Sequence, residues 1–225
     1  MKKHIMERMR LGRHVDHDDR SWQYAAATAA IATVQHRHYG LALDQGNVGS
    51  CTGNAMAQSL NTEPFHTARK GKLLKEPDAL KLYSLATKLD TFPGAYPPDD
   101  TGSSGLAVMQ AAQQLKLIAG YTHSFSLMHL LGALTLQPGI LGINWYDSFD
   151  SPTPQGECQL PAGASVRGGH EIAMVGLDAT AQQVWCINSW GRWGYKNSGR
   201  FWFSWATLDR LLHERGDATF AMKLP

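Results

Sequence analysis

The stretch DQGNVGSCTGNA, residues 44–55, puts one cysteine into a run of glycines and small polar residues. A structural cysteine is usually surrounded by apolar side chains, where it behaves as a small hydrophobe. Cys51 instead follows Gly46, Gly49 and Ser50 and precedes Thr52, Gly53 and Asn54. This pattern predicts a bend where the backbone comes close to another group, followed by a helix that begins at the cysteine. At a helix start the free amides and the partial positive charge of the helix dipole favour a thiolate.

An imidazolium beside the thiol would lower its pKa further, into the range of activated cysteines. Of the ten histidines, His170 in GGHEIAMVGLD is the best placed, at the glycine-rich edge of a strand-like run. An imidazole used as a base needs a group that holds one tautomer. Asn188, in CINSWGRWG, lies eighteen residues later at the end of the next strand-like run. A hairpin of these two runs would bring Asn188 to His170, and its amide oxygen would accept the ring N–H without adding charge. Gln45 and the backbone N–H of Cys51 are the candidate donors for a developing oxyanion.

The totals exclude several classes. The chain has 225 residues, 43% hydrophobic and 18% charged, with a net charge of +2. No concentrated basic face points to nucleic acid. The basic run MKKHIMERMR is read as a solvated arm. No stretch reaches the roughly 18 apolar residues of a membrane span, and no apolar core follows Lys2 and Lys3, so no secretory signal is expected. The expected location is cytoplasmic at synthesis, with virion association or non-Sec export as further routes. The cysteine count of three (Cys51, Cys158, Cys186) argues against a pure disulfide framework. Cys158 and Cys186 could pair or stay reduced. HVDHDD (14–19) and HRH (36–38) carry metal-ligand residue types but lack a closed-site spacing, so no metal is expected.

The first ~35 residues read as an arm. Helical character begins at Thr52, continues in KEPDALKLYSLATKL (75–89) with a start signal at Pro77-Asp78, and recurs in LAVMQAAQQLKLI and SLMHLLGAL. FPGAYPPDDTGSSG (92–105) reads as a loop. Then the texture changes: GILGINWY, HEIAMVGL, QVWCIN, GRFWFSW and TFAMKL are short runs rich in β-branched and aromatic residues. Helices first and strands later predict an α+β chain with two lobes, and a cleft between lobes is a common place for a site. Trp145 and Tyr146 could line a pocket or belong to the core. Glu171 follows His170, and alternate strand residues face opposite sides, so it is read as structural.

The order Gln45, Gly-Ser-Cys51, Gly-His170, Asn188-Ser-Trp190-Gly resembles the papain-like cysteine peptidases, as does the six-residue step from Gln45 to Cys51. DQGNVGSCTGNA, SFDSP (148–152) and GGHEIAMVGLD look most like bacterial and phage-type members. The resemblance spans roughly residues 40–204. It implies a two-lobed α+β fold, with a helical lobe (roughly 45–135), an antiparallel β-barrel-like lobe (roughly 136–225) and the cleft between them. It implies that Cys51 is the nucleophile, His170 the base and acid, Asn188 its orienter, Trp190 a shield over that hydrogen bond, and Gln45 part of the oxyanion hole. Gly102, Ser103 and Ser104, with Trp190, are the implied substrate-binding residues. The implied reaction is hydrolysis of a polypeptide through a thioester, with no cofactor.

The sequence departs from the family pattern at Val48, where a disulfide cysteine is usual, at Thr52, where Trp is usual, and in WGRWG, which is one residue short. With only 50 residues before Cys51, control by a long pro-segment is not expected. The arm itself (residues 1–35) is instead the candidate for covering the cleft and inhibiting the protein, ahead of one peptidase domain at 36–225. The alternatives are a catalytically idle fold used for binding or assembly, and a Cys-His amidase or acyltransferase.

Overall fold

The computed structural model describes residues 9–124 and 126–224. Part of the basic run, residues 1–8, lies outside these.

Among the described residues, six α-helices and seven strands form two regions. The helices are α1 (Cys51–Leu60), α2 (Phe65–Ala68), α3 (Glu76–Leu89), α4 (Gly105–Gln114), α5 (Leu127–Leu136) and α6 (Trp205–His213). The strands are β1 (Val34–Gln35), β2 (Gly120–Ser124), β3 (Gly139–Tyr146), β4 (Val166–Asp178), β5 (Gln183–Ile187), β6 (Arg200–Ser204) and β7 (Asp217–Met222). All strand pairs are antiparallel, in the order β2-β7-β3-β4-β5-β6. Strand β1 adds to β4 at Gly176 and Leu177, beyond the last β3 partner, Met174. The α+β class and the antiparallel strands agree with the sequence reading. The barrel-like closure does not: β2 and β6 are the two ends of an open sheet.

Two apolar cores give the lobes. One unites α1, α3 and α4 through residues such as Met56, Leu60, Leu82 and Met109, with Ile140 and Ala221 reaching in from the sheet. The other lies against the sheet and holds Trp145, Phe149, Phe201 and Phe203, with Leu130, Leu131 and Leu134 of α5 and Leu208, Leu211 and Leu212 of α6. Local signals account for the helix starts. In α3, Pro77 sits in the first turn and the Asp78 carboxylate accepts the Lys75 N–H at 2.9 Å. Ser104 caps α4, accepting the Ala107 N–H at 3.1 Å. Helix α1 is buried along its whole length, and its small residues allow a close approach. A Cβ on Gly53 would lie 2.1 Å from the Ala79 carbonyl oxygen of α3.

No helix among the described residues is long and apolar enough to cross a membrane.

Candidate active site

Cys51 is the first residue of α1, as the glycine-rich approach predicts, and is fully buried. The backbone amides of Glu171, Gly12 and Thr52 act to favour its thiolate. His170, next to Glu171 on β4, is also fully buried. Its Nε2 meets Asn188 Oδ1 at 2.8 Å, and its Nδ1 is buried without a hydrogen-bond partner. Asn188 follows the end of β5 and is held there by its N–H to the Gly199 carbonyl at 2.9 Å. The β4–β5 hairpin therefore brings together the two residues that the sequence places eighteen apart.

Aromatic rings enclose the imidazole. Trp190 stacks on His170 with centroids 5.0 Å apart at 27°, and Trp145 meets it edge-on at 4.9 Å. Trp145 is fully buried and anchors a cluster with Phe149 and Phe201, so its core role prevails over that of pocket wall. Trp193 also stays with the core, edge-on to Trp190, and donates to the Asp150 carbonyl at 2.9 Å.

Gln45 is fixed by four bonds, one of them from the Val48 N–H to its carbonyl at 3.3 Å. Its N–H donates to the Ser189 carbonyl at 2.9 Å. Its side-chain oxygen accepts from the Ser189 hydroxyl, and its amide nitrogen donates to the Val48 carbonyl at 2.8 Å. One amide hydrogen remains for another acceptor.

The N-terminal segment runs through this site. The Arg10 carbonyl accepts from Trp190 Nε1 at 3.3 Å. The N–H groups of Gly12 and Arg13 both donate to the Gly169 carbonyl, at 3.2 and 3.0 Å. On the opposite wall, Ser103 N–H donates to the Gly12 carbonyl and His14 N–H to the Ser103 carbonyl, both at 2.8 Å, which pairs Arg13 with Ser103 in parallel. Ser104 Oγ bonds Asp16 at 3.1 Å, and His14 stacks on Phe92 at 4.3 Å. Gly102 and Ser103 thus meet the backbone of the arm, and Ser104 meets one of its side chains. Residues 19–35 leave the cleft and follow the sheet, with Ala26 N–H donating to the His123 carbonyl at 3.0 Å before β1 forms.

This covering reverses one expectation. A thiolate–imidazolium pair is anticipated from the helix start. Here burial pushes the Cys51 thiol up to about 12, despite the Glu171 amide beside it. Burial also pushes the His170 imidazole down to about 4, against the Asn188 hydrogen bond that raises it. Both groups are therefore neutral in the covered cleft. A sealed, dry site removes the hydration that either ion needs.

Glu171, read as structural, sits next to His170 on β4, where alternate residues face opposite sides. It is buried beside Arg13 and Asp217, with neither carboxylate oxygen hydrogen-bonded. Gly12, Arg13 and Asp217 escaped the sequence reading, because each is one ordinary residue until the chain folds. Cys158 and Cys186 are both buried and unpaired.

Neither a protein-family model nor a curated protein sequence matches the chain. Solved structures do. Xylellain, a cysteine protease from Xylella fastidiosa, aligns over 96% of each chain at 18% identity with a TM-score of 0.72. Digestive procathepsin L2 proteinase from Tenebrio molitor larval midgut aligns over 96% of this chain and 80% of its own, at 14% identity and a TM-score of 0.65. Recombinant stem bromelain precursor aligns over all of this chain and 80% of its own, at 15% identity and a TM-score of 0.59. The chain has the fold of the papain-like cysteine proteases.

Proposed function

We propose that the chain is a cysteine peptidase held shut by its own N-terminal segment. The observation that carries this reading is the state of His170. Asn188 occupies one ring nitrogen, and the other is buried without a partner, in the residue next to Glu171, whose amide favours the Cys51 thiolate. A neutral imidazole fixed in this way has one nitrogen left to act as a base.

Once the cleft opens, His170 Nδ1 takes the proton of the Cys51 thiol. The thiolate attacks the carbonyl carbon of a peptide bond. The oxyanion is met by the Cys51 N–H and the remaining amide hydrogen of Gln45. Collapse breaks the C–N bond, and the amine leaves with the proton from His170. Water, deprotonated by the same nitrogen, then attacks the thioester, which releases the acid and restores the thiol. Trp190 covers the His170–Asn188 bond, and Gly102, Ser103 and Ser104 offer a wall on which a substrate backbone lies.

The direction of the arm supports inhibition rather than self-cleavage. The Gly12 carbonyl accepts from Ser103 N–H, and the Gly12 N–H donates to the Gly169 carbonyl beside His170.

The test is cleavage of an unfolded protein by the intact chain and by Gly12→Val, with Cys51→Ala as control. The reading expects slow or no cleavage by the intact chain and fast cleavage by Gly12→Val that Cys51→Ala abolishes. Cleavage that persists without the thiol, or no cleavage by a folded Gly12→Val protein, contradicts it.

A further inference from the structure

Beside the nucleophile the sheet holds a pocket that Arg13 fills. The Arg13 side chain is completely buried and pairs with the Asp217 carboxylate, and its Nη2 also donates to the Arg215 carbonyl at 3.0 Å. Glu171 brings a second carboxylate. A Cβ built on Gly142 would lie 2.5 Å from Arg13 Nε and 2.9 Å from Glu171 Oε2, so the two side chains meet over this glycine. Arg13 Nε and Nη1 and both Glu171 oxygens lack hydrogen-bond partners. A second glycine, Gly105 at the start of α4, leaves room behind the carboxylates. A Cβ there would lie 3.0 Å from Glu171 Oε1 and 3.3 Å from Asp217 Oδ2.

The pocket therefore belongs to the folded body and not to the arm. Its walls come from β3, β4, β7 and the N-terminus of α4. With the arm withdrawn, two buried carboxylates remain in an arginine-sized space. Buried carboxylates without a cation are costly, so the emptied pocket selects strongly for a cationic side chain.

Its position relative to the thiol sets its role. Gly12 packs on Gly49, two residues before Cys51, and the next residue fills the pocket. The arm runs so that the Gly12 carbonyl is bonded to Ser103 N–H rather than to the candidate oxyanion donors. A cleavable chain must present that carbonyl to them and therefore runs the opposite way. The pocket then receives the residue immediately N-terminal to the one whose carbonyl is attacked.

We infer that this peptidase selects substrates carrying arginine, or less well lysine, at the penultimate position before the cleaved bond, and that Arg13 is a built-in mimic of that side chain. The inference rests on the peptidase reading for its cleavage position, though not for the pocket itself.

The experiment uses full-length Gly12→Val protein and a series of fluorogenic peptides that differ only at the penultimate position (Arg, Lys, Leu or Glu). Arginine should give kcat/KM at least about tenfold above leucine, with lysine between and glutamate lowest, the span expected of a desolvated charge pair. Asp217→Asn in the same background should cut the arginine-to-leucine ratio by about an order of magnitude. Leucine equal to or above arginine overturns the inference, as does a ratio that Asp217→Asn leaves unchanged.

A second readout separates the two readings. Binding of the free peptide MRLGRHVD (residues 9–16) and of its Arg13→Leu version to Gly12→Val protein is measured by calorimetry. If no peptide is cleaved but the arginine peptide binds at least about tenfold more tightly, the peptidase reading fails and the pocket stands. Equal binding of the two peptides overturns the pocket whatever the activity.

Discussion

Gly12 of the arm and Gly49 of the loop before Cys51 meet backbone to backbone: a Cβ on Gly12 would fall 2.0 Å from the Gly49 carbonyl oxygen. No side chain can be accommodated there without separating the arm from the loop. Gly49 cannot easily yield, because its N–H is held by Asp100 at 2.9 Å, and Asp100 also accepts from Tyr83 at 2.7 Å. Gly12→Val is therefore expected to expel residues 9–17 from the cleft while leaving the fold intact. Limited proteolysis should cut the arm of the variant at least about tenfold faster than that of the parent protein, with unchanged far-ultraviolet circular dichroism.

Arg13 is the side-chain anchor of the arm. Arg13→Ala leaves Glu171 and Asp217 buried without their cation, a change that typically costs about 3–5 kcal/mol for a buried pair. The arm should therefore release, and thermal unfolding should move to lower temperature. Arg13→Lys should restore part of both. An Arg13→Ala protein with an arm as protected as in the parent would show that the backbone bonds alone hold it.

The anchor also sets a pH dependence. Burial pushes the Asp217 carboxyl up, but Arg13 and His17 more than offset this and leave its pKa below the usual carboxylate value. The ion pair is thus complete above the normal Asp range and is lost as pH falls through the depressed value. Glu171 behaves oppositely: burial and the neighbouring Asp217 charge raise it well above its usual value, so it gains a proton first. The arm amides should stay protected from hydrogen exchange from neutral pH down to about pH 4 and lose protection only below the ordinary Asp value of about 3.9. Loss of protection between pH 7 and 5 would assign the release to a histidine.

Catalysis should separate His170 from Asn188. In the Gly12→Val background, His170→Ala removes the base and should lower kcat by about 10²–10⁴-fold. Asn188→Ala keeps the base but frees the ring, and should cost less. An equal loss from both would mean that the imidazole does not reach the thiol unless Asn188 holds it.

Much of the site was legible in the sequence, because its chemistry depends on residue types in a fixed order. Cys51 at a helix start and Asn188 at the end of the strand after His170 follow from glycine content and strand texture. The alternation rule also places Glu171 opposite His170. What it cannot supply is the neighbourhood on that other side. Gly142 comes opposite Glu171 in the β3–β4 register, and Asp217 opposite Gly142 in the β3–β7 register. Those neighbours depend on a strand order that no short-range pattern encodes. Strand β2, GYTHS, is short and polar, and went unread for the same reason. Helix α6 followed the aromatic run GRFWFSW so closely that its own signal, Leu208, Leu211 and Leu212 on one face, was passed over. The arm was harder still: Gly12 and Arg13 look ordinary until the cleft closes on them.

The most direct measurement of the central claim is the rate of iodoacetamide labelling at Cys51, located by mass spectrometry, for the intact protein and for Gly12→Val across pH 5–9. Buried Cys158 and Cys186 serve as controls. The account predicts slow labelling of the intact protein throughout, since burial pushes its thiol up to about 12. In Gly12→Val, Cys51 should label at least about tenfold faster, at a pH below the free-thiol value of about 8.5, and His170→Ala should abolish that gain. Equal rates in the two proteins, or a gain that survives loss of His170, would contradict a thiol–imidazole pair kept closed by the arm.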